Sequence, residues 1–407
     1  MSGRADSGES SGNKFIEKTL TDVEREIYVE NWEMSNEELE LGNEWKIEKR
    51  RLHGGLSDGI DIIELHNGSL SFTVVPTRGM NVWKGQFEGA CLGWESPVKS
   101  LVHPQYINLE ARGGLGWLDG FNEWVVRCGL GNFGEPGPDV IVDNMGGKRE
   151  VMLTLHGKIA NIPASDLKAV IGLEPPFESG VKGVVYERSM LGSYLKMNTS
   201  ITTTLKSNSI KIVDVIENVR SVPDEMQLLY HCNYGEPFLE EGARFVAPVE
   251  EVAPRNSWSA EGIDRFDVFD SPKVGFVEQV YFLKLFGDDE ERTLVMLANR
   301  DGTRAVSISY SLNDLPCFTL WKNTNSLEEG YVVGLEPGTS FPNSRSFERR
   351  QNRVVGLKPK QKYKSEITLS VHLGKNNVQK IKEQIDELRS EIKPKIYRKP
   401  TGEFSPQ

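Results

Sequence analysis

Cysteine is scarce in this chain of 407 residues: Cys91, Cys128, Cys232 and Cys317 are the only four, and no two form a CxxC pair. That spacing excludes a disulfide framework and the usual zinc signature, leaving each thiol the role of a small hydrophobe in a strand-like segment. An excess of positive charge is also missing, since 48 Lys+Arg stand against 59 Asp+Glu for a net charge of −11. Nucleic acid is held by a concentrated basic patch, and here the basic residues are scattered among acids, so no nucleic-acid partner is expected. No run approaches the ~20 apolar residues of a membrane span. The opening MSGRADSGESSGNK lacks the apolar stretch of a secretory signal, so the expectation is a cytoplasmic protein with no membrane partner.

What is present is ordinary globular composition, 38% hydrophobic and 26% charged, enough for a substantial core. Residues 1–20 are rich in Ser, Gly and charge and read as a disordered or loosely attached arm. From about residue 45, short β-branched or aromatic runs are punctuated by Gly, Pro, Asn and Asp, as in SLSFTVVPTRGMNVW, NTSITTTLKSNSIKIVDVIENV and RTLVMLANRDGTRAVSISYSL. This is the pattern of antiparallel sheets, with KSNS and NRDGTR as hairpin turns. The expected fold class is all-β, one body over 21–374. Beyond it, in 375–407, Val378, Ile381, Ile385, Leu388 and Ile392 recur at helical spacing before Pro394. That is an amphipathic helix, expected to dock on the sheets, with a homodimer contact as the other use of its apolar stripe.

Three strand-like segments carry a chemically useful side chain where an apolar one is expected. In VMLTLHG the period of two places Thr154 and His156 on one face, with His156 at the strand end. In LLYHCNYG, His231 and Asn233 share a face that excludes Leu228, Tyr230, Cys232 and Tyr234. In YVVGLEPGT, Glu336 faces the same way as Gly334, and the following Pro337-Gly338 suits a type II turn that would fix the strand end. Taken singly, a strand-end histidine is more often structural and an edge glutamate often only discourages sheet pairing. Together they supply imidazole and carboxylate, the pair that proton transfer near neutral pH requires. His53, His66, His103 and His372 read as structural or exposed.

These segments, in this order, resemble the aldose 1-epimerase family of the galactose mutarotase-like superfamily, over about Gly68 to His372. SFTVVPTRGMNVW is similar to the family's early strand and Arg-Gly turn, LHGKIAN to its first His-Gly element and LLYHCNYGEPFL to the strand of its second histidine. GLEPGTSFPNSRSFERRQNRVVGLKPKQKY is similar to its glutamate strand, Phe-Pro-Asn segment and terminal Leu-x-Pro strand. The resemblance implies a β-supersandwich of large antiparallel sheets and a small-molecule carbohydrate as partner. It implies His231 as general acid, Glu336 as general base and His156 as the histidine that binds a sugar hydroxyl near the ring oxygen, with no cofactor and no metal. The acid and base are expected to hold each other in charged form.

Arg78 resembles the family's arginine near the sugar and would offer a fork of hydrogen bonds to hydroxyls. Asn233 would orient His231 or the substrate. Trp321 would stack on a pyranose, although strand aromatics are often core. In GGLGWLDGFNEW, Trp117 and Asp119 are candidate contacts from a loop over the cleft. The aspartate that holds hydroxyls in better-understood relatives has no match between Tyr234 and Leu335; Glu278 and Gln279 stand at its approximate location. The implied function is interconversion of aldose anomers. A carbohydrate-binding protein without turnover and a sugar lyase are the alternatives, and a hydrolase, which needs two carboxylates about 5–10 Å apart, is disfavoured.

Overall fold

A computed structural model describes residues 6–9, 14–39, 44–142, 145–389 and 393–406. Among these, two large sheets face each other, one of 11 strands and one of 14, with a separate two-stranded ribbon of Gly137–Val142 and Lys148–Leu153. The alternating runs fold as their pattern dictates. In Tyr194–Thr203, Leu195, Met197 and Ile201 point inward; in Ser209–Asn218, Ile210, Ile212 and Ile216 do the same. Each such side chain contributes about 1.5–3 kcal/mol on burial. They meet Val125, Leu228, Leu320, Val333 and Leu335 of the other sheet in one continuous core. The KSNS and NRDGTR hairpins are both present, joining Tyr194–Thr203 to Ser209–Asn218 and Arg292–Ala298 to Arg304–Ser311.

One inward position is charged. Asp214 is fully buried, and Arg127 reaches it from the opposite sheet with Nε at 2.6 Å and Nη2 at 3.0 Å, while Tyr230 donates its hydroxyl at 2.7 Å. A buried pair of this kind is costly to break on one side, so it fixes how the sheets sit on each other behind His231.

The middle of the 14-stranded sheet runs Val249–Pro254, Gln279–Leu285, Cys317–Thr324, Tyr331–Gly338, Asp224–Tyr234 and Val125–Leu130. Here alternation disappears: every residue of Val125–Leu130 and Tyr331–Gly338 is buried. A strand buried on both faces needs a second cover. Trp117, Phe121 and Phe133 pack over Val126, Cys128 and Leu229 on one side of this outer face, and Phe341 and Phe404 pack over Val280, Phe282 and Cys317 on the other. Trp321 touches both clusters.

Three expectations need correction. Lys14–Asp22 is a sheet strand rather than part of an arm over residues 1–20, because Leu20 is fully buried in the core; residues 1–5 and 10–13 lie outside the described residues. Pro337-Gly338 makes no turn: the strand runs to Gly338, with Phe318 opposite Pro337 and Cys317 opposite Gly338. On the other edge, pairing is recorded at Leu335↔Cys232 and Gly338↔Leu229 but not between, where Pro337 has no N–H to donate. His156 does not end a strand. The strand stops at Leu153, and His156 sits in a left-handed conformation, φ 57°. The helix, by contrast, is as expected: it spans Lys375–Arg389 and docks, with Val378 and Ile385 buried against Met296, Ala298 and Ala305, while Ile392 lies outside the described residues. No described helix is long and apolar enough to cross a membrane.

Candidate active site

The register around the missing rungs places Glu336 across from His231 and, on its other side, opposite Thr319. Gly334 lies opposite Trp321 and Asn233. All these side chains project onto the outer face between the two aromatic clusters. Glu336 Oε1 is 3.1 Å from His231 Nε2, with the side chains 3% and 6% exposed. The contact is not aligned as a hydrogen bond, and Glu336 Oε1 is left buried without a partner, a state with a desolvation cost of about 1–3 kcal/mol or more.

The tautomer of His231 follows from its neighbour. Asn233 Nδ2 donates to the carbonyls of Glu123 (2.9 Å) and His231 (3.2 Å), so its Oδ1 is the atom 2.7 Å from His231 Nδ1. Nδ1 therefore carries the hydrogen, and Nε2, facing Glu336, is the atom that gains and loses a proton. Burial holds His231 well below the usual imidazole range and Glu336 well above the usual carboxyl range. The expected cationic acid beside an anionic base is thus not the form burial favours. The free site favours a neutral imidazole beside a carboxylic acid.

His156 enters from the other cluster. Its Nδ1 donates to Phe133 O at 3.0 Å, its ring centroid is 5.5 Å from that of His231, and Trp117 meets it edge-on at 4.4 Å. Burial lowers its pKa to about 4, so at neutral pH Nε2 is a hydrogen-bond acceptor. The left-handed turn that aims it needs Gly157 next, since a Cβ there would lie 2.1 Å from Asn132 O and 2.4 Å from Gly129 O.

The structure therefore brings together His156, His231, Asn233, Glu336, Trp117 and Trp321, the last with its ring 5.3 Å from His231. It does not bring in Arg78 or Asp119. Arg78 is fully buried in an ion pair with Glu123 (2.8 Å) and donates Nη1 to Val102 O, leaving no fork for a sugar. It acts behind the site, because Glu123 is the residue whose carbonyl holds Asn233. Asp119 lies two residues after Trp117 in a tight helical turn, Gly116–Gly120; the indole turns in, and the carboxylate turns out to an exposed pair with Arg112 at 2.5 Å. Glu278 reaches the rim, accepting from Trp321 Nε1 at 2.7 Å, whereas Gln279 is occupied by Tyr281 and the Trp258 carbonyl. Sequence reasoning missed Phe121, 5.1 Å from His231, and the rim ion pair of Arg255 with Glu135 (2.5 Å); neither has a local pattern that marks it. Among the described residues no group of three His, Cys, Asp or Glu is placed to hold a metal.

Gly334 is where the site leaves no room. A Cβ there would lie 2.3 Å from Glu336 Oε1, 3.0 Å from His231 Cε1 and 3.2 Å from Trp321 Cβ. Gly334→Ala is expected to displace the carboxylate, lowering kcat/KM about 10–100-fold and stability by about 1–3 kcal/mol. Steady-state kinetics beside a thermal melt checks this, and wild-type kinetics would show that the carboxylate position does not matter.

Comparison with known proteins bears on the family and the fold. Residues 57–371 match the family described as a domain of unknown function, DUF4432. No curated protein matches the chain. The chain is similar to a provisionally named aldose 1-epimerase from Klebsiella pneumoniae subsp. pneumoniae MGH 78578, with 34% identity, TM-score 0.89, and 94% of this chain and 98% of that one covered. At the level of fold alone it is similar to a galactose mutarotase-like protein from Clostridium acetobutylicum (14% identity, TM-score 0.53, 84% and 99% covered). The same holds for galactose 1-epimerase from Lactobacillus acidophilus NCFM (14% identity, TM-score 0.50, 80% and 98% covered). With its twin sheets, its buried acid and imidazoles, and a family profile spanning most of its length, the chain belongs to the DUF4432 family on the galactose mutarotase-like fold.

Proposed function

We propose that this protein is an isomerase that interconverts the α and β anomers of an aldose by opening and reclosing the ring. The observation that carries the reading is the buried, unpartnered Glu336 Oε1 beside His231 Nε2. Anomer exchange requires one proton to leave the C1 hydroxyl and one to reach the ring oxygen. Both oxygens hang on the same carbon, so the groups that serve them must stand side by side. A hydroxyl over this pair also supplies the hydrogen bond that Glu336 Oε1 lacks.

Glu336, ionised, takes the C1 hydroxyl proton while His231, protonated, gives its Nε2 proton to the ring oxygen, and the C1–ring-oxygen bond breaks to leave an aldehyde. The site then holds a carboxylic acid and a neutral imidazole, the form that burial favours. Rotation about C1–C2 and reclosure return both protons: His231 takes one from the chain hydroxyl and Glu336 gives one to the aldehyde oxygen, now on the other face. The pair's proton count is the same before and after, so no redox partner is needed. Asn233 keeps the exchanging proton on Nε2, and His156 accepts from a hydroxyl near the ring oxygen.

The test is polarimetry on freshly dissolved aldoses. Acceleration over buffer for at least one sugar is expected; rates equal to buffer across a broad panel, with sugar bound, would mean a binding protein instead. His156→Ala is expected to raise KM by up to about tenfold, the scale of one hydrogen bond, with a smaller change in kcat. An unaltered saturation curve would contradict its binding role.

A further inference from the structure

Two polar contacts form the rim of this site. On the side of His156, Arg255 Nη2 meets Glu135 Oε2 at 2.5 Å; Glu135 directly follows the Phe133–Gly134 segment, whose carbonyls accept from the His156 ring and backbone. The Arg255 backbone in turn donates to Val280 O, tying the pair to the strand beside Trp321. On the side of Trp321, Glu278 Oε2 takes the indole N–H at 2.7 Å, which leaves its other oxygen free of that bond. Arg255 and Glu135 are about one-third exposed or less and Glu278 is exposed, so the rim is open to a ligand and its ion pair is partly desolvated. Its formal charge is one cation against two carboxylates, a net −1, and the neutral imidazole of His156 adds nothing.

We propose that the site takes an uncharged aldose, not a uronic acid or a sugar phosphate, and that Arg255, Glu135 and Glu278 determine this specificity by holding ring hydroxyls remote from C1. The inference rests on the anomer-exchange reading for which end of the sugar lies inward. A hydroxyl both donates and accepts, so it can bridge carboxylate and guanidinium with the ion pair intact. A phosphate or carboxylate can only accept. It would have to strip Glu135 from Arg255, leaving an uncompensated carboxylate where the ion pair is partly desolvated, with the exposed carboxylate of Glu278 also on the rim.

Titration of intrinsic tryptophan fluorescence with glucose, galactose, glucuronate and glucose 6-phosphate tests this, because Trp117 and Trp321 flank the pair. It is run beside anomer-exchange rates on the same sugars. The expected result is saturable binding of a neutral sugar at least about tenfold tighter than its charged counterpart. Arg255→Gln and Glu278→Gln are each expected to weaken neutral-sugar binding about 3–10-fold, raising KM more than they lower kcat. Neutral sugars that bind without interconverting would overturn the proposed reaction and leave this inference standing. Charged sugars that bind as tightly and interconvert would do the opposite. No binding by either class, or Arg255→Gln weakening only charged sugars, overturns the inference.

Discussion

Replacing Glu336 by Gln is expected to lower the rate of anomer exchange by about 10²–10⁴-fold, the usual scale for a lost general base, while the protein stays folded. The amide keeps the volume of a side chain that is buried among Thr319, Gly334 and His231 but cannot take the C1 proton. The stability effect has a definite sign. Burial holds the Glu336 carboxyl well above 4.5, so the native state keeps its proton to higher pH than the unfolded chain does. The wild type therefore loses stability as pH rises above about 4.5 through the folded-state value, and the Gln variant escapes that loss. Its Tm relative to wild type should grow with pH across that range. A variant that keeps the wild-type rate would remove Glu336 from the mechanism, whatever its melting behaviour.

His231→Asn is expected to produce a loss of the same order, about 10²–10⁴-fold, for the complementary reason: nothing remains to give a proton to the ring oxygen. Its linkage runs the other way. Burial holds His231 well below 6.5, so the unfolded chain binds more protons than the native state as pH falls below 6.5, and wild-type stability drops there. Removing the imidazole should reduce this acid sensitivity, although His156 and His372, each lowered to about 4 by burial, preserve part of it. Combined with Glu336→Gln, the loss should fall well short of the product of the single losses, because acid and base serve one step. Fully multiplicative losses would show that the two residues act independently.

How much of this was legible in the sequence depended on whether the signal was local. Strand alternation put His231 with Asn233 on one face of their strand and Glu336 with Gly334 on one face of theirs, because side-chain direction in a strand follows from position alone; the register between the two strands came from the structure. The same logic failed at Val151–Gly157. The ribbon ends at Leu153, and His156 is aimed by a left-handed turn and Gly157, features that a period of two does not encode. Arg78 was misplaced because its partner, Glu123, is 45 residues away and sits in a segment read as loop. Asp119 was misplaced because a tight helical turn, not an open loop, turns Gly116 and Trp117 inward and Leu118 and Asp119 outward. Pro337-Gly338 carries the composition of a turn, yet the ladder absorbs the proline by leaving rungs out. The Arg255–Glu135 pair of the rim joins two distant segments and had no sequence pattern to find, whereas Glu278 was reached only through its approximate location.

The protonation of the pair shows a different limit. Residue types suggest imidazolium beside carboxylate, but with His231 and Glu336 only 4% and 2% exposed, desolvation works against both charges. In the proposed reaction the charged form needs the sugar's hydroxyls to stabilise it, which would couple activation of the pair to substrate binding.

The most direct test is a crystal structure of the Glu336→Gln protein with a neutral aldose bound. The account predicts the anomeric carbon over the pair, with its hydroxyl at residue 336, its ring oxygen at His231 Nε2 and a further hydroxyl at His156 Nε2. A sugar seated elsewhere on the protein, or bound here with its anomeric carbon turned away from His231, would contradict it.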